Sequence, residues 1–269
     1  MIGLLEIEWL KIKRYRTFWI LVGLFLALLL LWNYEAAQGN INIGGGKKSH
    51  GMSIVNSDYS FPLAWGSTGY WGSIFIMFIS IVVIILTTNE FAYRTHRQHV
   101  IDGWTKMNFF HAKVMLVFVL SIASTLSVVL VGSILGWMHY HSFAGFFGEF
   151  KLLGYFFLLS LDYLGFALFL ALLIRRSGLA IGLFLLYAMF LETILWVIIN
   201  NYSPDNKPLG GLLPLQAGDS LLPFPYPPMV KMLSEGTPSL PMTTYALVTC
   251  GWCLIYYFAG RAMLLRRDW

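Results

Sequence analysis

Charge is what this chain has least of. Of its 269 residues, 12% are Asp, Glu, Lys or Arg, while 58% are apolar and the mean hydropathy is +0.68. Soluble domains carry about a quarter charged residues, so a water-facing globule is excluded and a polytopic membrane protein is the class that remains. Cysteine is nearly missing too. The only two, Cys250 and Cys253 in the run CGWC, rule out a disulfide framework. Lying in an apolar run with no βαβ pattern around them, they read as packed membrane thiols rather than a redox pair. A phosphate-binding loop is absent as well. The run GGGKKS at 44–49 has Ile41 where the pattern requires Gly and Lys48 where it requires Ser or Thr. The formal net charge of +5 marks membrane sidedness, not nucleic-acid binding.

What is present is a set of long apolar runs. About 20 such residues cross the hydrocarbon core as a helix, the form in which a single segment satisfies its own backbone polar groups. Six runs qualify, at about 17–34, 68–88, 111–138, 151–174, 179–200 and 243–262. The basic run KIKRYR at 11–16 followed by apolar residues has the outline of a leader peptide, but 1–16 is too long and too patterned, and 17–34 reads as a retained anchor. An even number of spans puts both termini on one side. Thirteen of the eighteen Lys and Arg residues fall on that side, among them Lys11, Arg14, Arg94, Arg97, Lys113, Arg175 and Arg267. The positive-inside rule makes it cytoplasmic.

Three segments lie outside the spans. In residues 1–16, Ile2, Leu5, Trp9 and Ile12 recur at helical spacing, which predicts an amphipathic helix on the inner leaflet; a straight extension of the first span is the alternative. On the outer side, 35–67 is a Gly-, Ser- and Asn-rich loop. Residues 201–242 hold nine of the ten prolines, which predicts short helices and turns on the outer rim or dipping inward as a re-entrant element.

The most informative stretch is NEFAYRTHRQHVIDGWTKMNFFHAK at 89–113, on the cytoplasmic side between the second and third spans. No Pro or Gly interrupts Glu90 to Asp102, and Glu90 and Arg94 form a favourable i,i+4 pair. Gly103 is placed to end a helix and Asn108 to cap the next one. An ordered, aromatic-rich cytoplasmic helix of this kind suits docking.

This layout resembles the permease subunit of type-2 ABC transporters, an export-type family with six spans per subunit. The resemblance covers the whole chain in outline. At residue level it rests on Glu90, Arg94-Thr95, Arg97-Gln98, Asp102-Gly103, Phe109-Phe110 and Lys113, with a departure at His96, where the family often has a small residue. It implies an amphipathic elbow helix at 1–16 and a coupling helix at 89–106. Glu90, Tyr93, Arg94, Arg97, Asp102 and Trp104 would dock on separate cytoplasmic ATPase subunits. Those subunits would bind ATP and Mg, leaving no cofactor in this chain. The resemblance also implies a second permease copy or a similar permease, a lipid environment and an outer partner protein held by the outer segments. The style of the sequence is that of a bacterial inner-membrane protein, and nothing points to nucleic acid.

Two acids sit inside spans, Asp162 in the fourth and Glu192 in the fifth. Each costs about 2.5–3.5 kcal/mol at mid-helix and must face protein or a cavity. Each marks the substrate path or a subunit seam, or else an interhelical hydrogen bond near Tyr163 or Thr193. His139, His141 and Glu149 fall short of a metal site for want of a third nitrogen or sulfur ligand. Two rival functions stay open: a polytopic membrane enzyme using the intramembrane acids, and a non-transporting scaffold that passes force to an outer partner.

Overall fold

A computed structural model describes residues 2–38, 59, 61–93, 105–141, 145–203, 208–222 and 240–266. The order is α1 (Ile2–Lys13), α2 (Arg16–Ala37), α3 (Leu63–Ala92), α4 (Lys106–Tyr140), α5 (Lys151–Ile174) and α6 (Ser177–Leu186). A π turn (Tyr187–Leu191), α7 (Glu192–Tyr202), a 3-10 turn (Leu209–Leu212), α8 (Pro214–Asp219) and α9 (Met242–Arg266) complete it. No strand occurs among the described residues. Six stretches are long and apolar enough to cross a membrane: α2, α3, α4, α5, the composite Ser177–Tyr202 and α9. The fold is all-α and multi-pass, as the apolar runs predict.

The boundaries carry physical detail that the runs do not. Helix α3 extends past its apolar run at both ends, because its polar last turn finds partners described below. Helix α4 starts earlier than expected. Thr105, not Asn108, is the cap: it is extended and its Oγ1 accepts from the Asn108 N–H at 3.1 Å. The segment before the first span is a separate helix. Tyr15 is extended, at φ −92 and ψ 104, and breaks the chain between α1 and α2. On α1, Glu8 and Ile12 are buried while Trp9 turns outward, 51% exposed.

Helices α3 and α5 form the centre. The apolar windows of both are 61% buried, against 11% for the composite fifth span. Helices α2 and α4 pack on α3, and α4 and α9 pack on α5. Lipid is as apolar as leucine, so burial alone does not drive this association; close fit does. Gly72 supplies it at the α3–α4–α5 crossing, where an added Cβ would lie 2.9 Å from the Phe156 ring and 3.0 Å from Val128. Several hydroxyls in the spans are satisfied locally. Ser80, Thr88, Ser124 and Thr249 each donate to the carbonyl four residues back. At the end of the bundle away from α1, Phe61, Trp65 and Phe146 form an aromatic knot, and the Trp65 indole donates to the Phe146 carbonyl at 2.8 Å.

Gly72→Leu is expected to overpack this crossing, at a cost of about 1–3 kcal/mol. Gly23→Leu, with nothing within 4 Å, is expected to be neutral. Thermal unfolding of the two purified variants checks the contrast, and equal midpoints would refute this packing.

Candidate functional site

The last turn of α3 holds Asn89, Glu90 and Phe91. Each of the three is tied to a different element. Glu90 is buried, 6% exposed, and pairs with Lys113 in the second turn of α4. Lys113 is itself 1% exposed and also donates to Glu8 Oε2 of α1 at 2.8 Å. Lys11 closes the group from the half-buried side, 3.2 Å from Glu8 Oε1 and 3.1 Å from Glu90 Oε1. Asn89 Nδ2 donates to the Tyr15 hydroxyl at 3.1 Å. Phe91 lies under the Arg175 guanidinium, 4.7 Å from the ring centroid, at the turn between α5 and α6.

These contacts make a collar. Two lysines face two glutamates, so the cluster is neutral, which its burial requires: a lone ion there would cost several kcal/mol. Glu8, Lys11 and Ile12 fall at i, i+3 and i+4, the spacing that puts all three on one face of α1. A cavity of about 180 Å³ lies in the collar, lined by Glu8, Lys11, Tyr15, Leu86, Asn89, Glu90 and Tyr93.

Of the six residues read as docking contacts, two are described. Tyr93 is 77% exposed at the tip of α3. Glu90 turns inward to Lys113 and Glu8's partner lysines instead of outward to solvent. Arg94, Arg97, Asp102 and Trp104 lie outside the described residues, as does the expected helix from Arg94 to Gly103. Sequence reading missed Glu8, and it took Lys113 as a flanking base and a position of family resemblance without finding its partners. The signal that was available is its position: Lys113 sits two turns inside a helix that continues through an apolar run, a place where a cation needs an acid.

A second polar group lies at mid-helix depth. Glu192 is the one buried residue of α7. Its expected partner near Thr193 is not what it meets. Its Oε1 accepts from the backbone N–H groups of Leu215, at 2.7 Å, and Gln216, at 2.9 Å, in α8. Segment 208–222 is therefore drawn in against α5, α7 and α9 rather than resting on the rim. The Trp252 indole holds it as well, donating to the Leu212 carbonyl at 3.0 Å. Tyr163 donates not to neighbouring Asp162 but to Asp219, 3.0 Å from both carboxylate oxygens. Burial pushes the Asp219 carboxyl up to about 7, and the Tyr163 hydroxyl bond opposes that shift. Asp162 is fully buried, and neither of its oxygens has a hydrogen-bond partner.

The remaining candidates sit apart. His139 Nδ1 contacts the Leu135 carbonyl at 3.0 Å. No group of three His, Cys, Asp or Glu among the described residues suits a metal ion. Cys250 and Cys253 are both free; Cys250 is exposed rather than packed away. Both line an apolar cavity of about 390 Å³ between α4, α5 and α9.

Six apolar spans, with an ion collar that joins α1, α3 and α4, define a multi-pass membrane protein. The model of the ABC-2 family transporter protein matches residues 4–191, well over half of the chain, and this chain belongs to that family. It is thus a transporter membrane subunit rather than an enzyme, of a family that generally works with cytoplasmic ABC ATPases. No curated protein matches it.

Lys113→Met removes the cation that Glu8 and Glu90 share, and Lys11 alone remains against two buried acids. A destabilisation of about 3 kcal/mol is expected, seen as a lower thermal midpoint of the purified protein. Adding Glu90→Gln to that variant should recover part of the loss. A wild-type midpoint for Lys113→Met would remove the collar from consideration.

Proposed function

We propose that this chain is the membrane-spanning permease subunit of an ATP-driven exporter. ATP and magnesium are bound by separate cytoplasmic ATPase subunits, and a second permease, identical or similar, completes the path. The α1 end of the bundle faces the cytoplasm of an inner-membrane protein. The observation that carries the reading is the collar. Residues 94–104 connect α3 to α4 in the sequence, and the last turn of α3 and the second turn of α4 meet in the same buried ion cluster through Glu90 and Lys113.

The mechanism follows from stiffness. An ATPase that grips 94–104 displaces the last turn of α3. Glu90 carries the first turns of α4 with it through Lys113, and Lys113 carries α1 through Glu8. Phe91 and Arg175 extend the tie to the turn between α5 and α6. The helices then move as one body, because sliding any of them alone would strand a buried charge. In this reading Tyr93 is an outer docking contact and Glu90 the inner anchor behind it. The low burial of the fifth span supports a second permease against that face, since the same span presents Leu183, Phe190 and Ile194 outward.

The test begins with isolation from native membranes. An ABC ATPase is expected to copurify, and Tyr93→Ala, Arg97→Ala and Trp104→Ala are each expected to reduce its recovery at least several-fold while leaving the permease in the membrane. With Cys250 and Cys253 replaced by Ser, a cysteine introduced at position 97 is expected to react with an impermeant thiol reagent only in inside-out vesicles. Labelling from the outside would overturn the orientation. An intact complex that hydrolyses ATP but moves no solute across vesicles would favour the force-transmitting scaffold.

A further inference from the structure

The polar groups around α8 are unequal. Two of the three carboxylates there hold the segment in place: Glu192 accepts from the Leu215 and Gln216 N–H groups, and Asp219 accepts from the Tyr163 hydroxyl. The third, Asp162, is 0% exposed at the middle of α5, and both of its oxygens are without a hydrogen-bond partner. It is pressed against α8. A Cβ added at Gly218 would stand 3.1 Å from Asp162 Oδ2, so only a residue without a side chain lets α8 sit there. The next residue is Asp219. The Tyr256 hydroxyl, also buried, has no partner either.

A bare carboxylate cannot persist in such a place. Without hydrogen bonds or a counter-ion, its burial costs many kcal/mol, and it neutralises instead. The titratable groups acting electrostatically with Asp162 are Asp219 of α8, Glu192 of α7, Tyr163 of its own helix, Tyr187 of the π turn, and Cys253 and Tyr256 of α9. None of them is a cation. Nor does any grouping of three acidic, His or Cys side chains among the described residues suit a metal ion. The smallest cation is what fits.

We propose that Asp162 is a proton-binding site that governs the seating of α8: one proton on its carboxyl group lets Gly218 and Asp219 lie against it, and loss of that proton to water unseats the segment. The step is a simple dissociation. The O–H bond of Asp162 breaks, water takes the proton, and a carboxylate is left beneath Asp219 and beside Glu192. Like charges then face each other in a poorly solvated site, and the relief is to move α8 away and admit water. By reciprocity, whatever draws α8 outward promotes release of the proton. This inference concerns the membrane interior and is independent of which ATPase drives the chain.

The sign of the pH effect follows. Seating of α8 on Asp162 takes up a proton in this proposal, so stability falls as pH rises. Purified full-length permease in lipid nanodiscs is unfolded thermally between about pH 5 and pH 9, and infrared spectra are recorded over the same range. Wild type is expected to lose stability with rising pH and to show a protonated-carboxyl band at neutral pH. Asp162→Asn is expected to lose a component of that band which Asp219→Asn and Glu192→Gln both keep, and to weaken the pH dependence. If Asp162→Asn fails to fold, Asp162→Glu serves instead: that component must shift in frequency. A neutral-pH band unchanged by Asp162→Asn, or by Asp162→Glu where Asp162→Asn does not fold, overturns the proposal. So does stabilisation by sodium at constant ionic strength that Asp162→Asn abolishes, since a metal ion would then occupy the site.

Discussion

One ammonium group holds the architecture at the α1 end. Lys113 is 1% exposed, and a lysine so placed is tolerable only because Glu8 and Glu90 reach it from two other helices. The requirement runs in every direction. Take away any one partner and the others become uncompensated charges in a poorly solvated space. Such an arrangement contributes little net stability compared with an apolar core of equal volume. What it contributes is registration: α1, α3 and α4 have one relative position in which all the charges are met. In a bundle most of whose interhelical contacts are apolar and could slide through lipid-like surroundings at small cost, that registration defines where the connection between α3 and α4 is anchored.

The second polar group obeys the same rule at another depth, with a different outcome. Glu192 faces inward from a helix whose other described residues are not buried, an inversion of the usual pattern for a helix against protein. The π turn immediately before it, Tyr187–Leu191, widens one turn and so shifts the register of the residues that follow. The carboxylate thereby meets the free N–H groups of Leu215 and Gln216, which no backbone carbonyl satisfies at membrane depth. Irregular backbone inside a membrane needs protein partners, and here a span provides one side chain for that purpose.

Much of the fold is legible in the sequence because apolar length is a one-dimensional property. The six spans and the broken character of the 201–242 region can be read from runs and prolines; that segment 208–222 turns inward rather than resting on the rim cannot. Pairings between distant residues cannot. Glu8 and Lys113 are 105 positions apart, and nothing in either neighbourhood names the other. Local chemistry misleads as well. Asn108 is a good cap by type, yet Thr105 fills the role because the chain enters from an extended residue there. The charges at positions 8 and 11 set the side of α1 that turns toward the bundle, and the helix's own apolar spacing does not reveal it. Asp162 and Glu192 are recognisable as costly, while their partners depend on a segment that composition marks only as broken.

The two polar groups are joined by a single unbroken element. Helix α5 runs from Lys151 to Ile174 without a π turn or an interruption. Arg175, at its end, lies over Phe91 beside the collar, and Asp162, at its middle, lies under α8. The fifth span, which also touches both regions, is interrupted by its π turn. A displacement entering at the collar is therefore transmitted most directly along α5. The fifth span, loosely packed and locally widened, is the element able to change register in response. A stiff rod beside a compliant one is the arrangement needed for motion at one face to alter the seating of a segment at the other. Helical hydrogen bonding keeps the rod intact while the compliant span adjusts, so the positions that matter for coupling are those where α5 carries polar contacts, not those where it merely fills space.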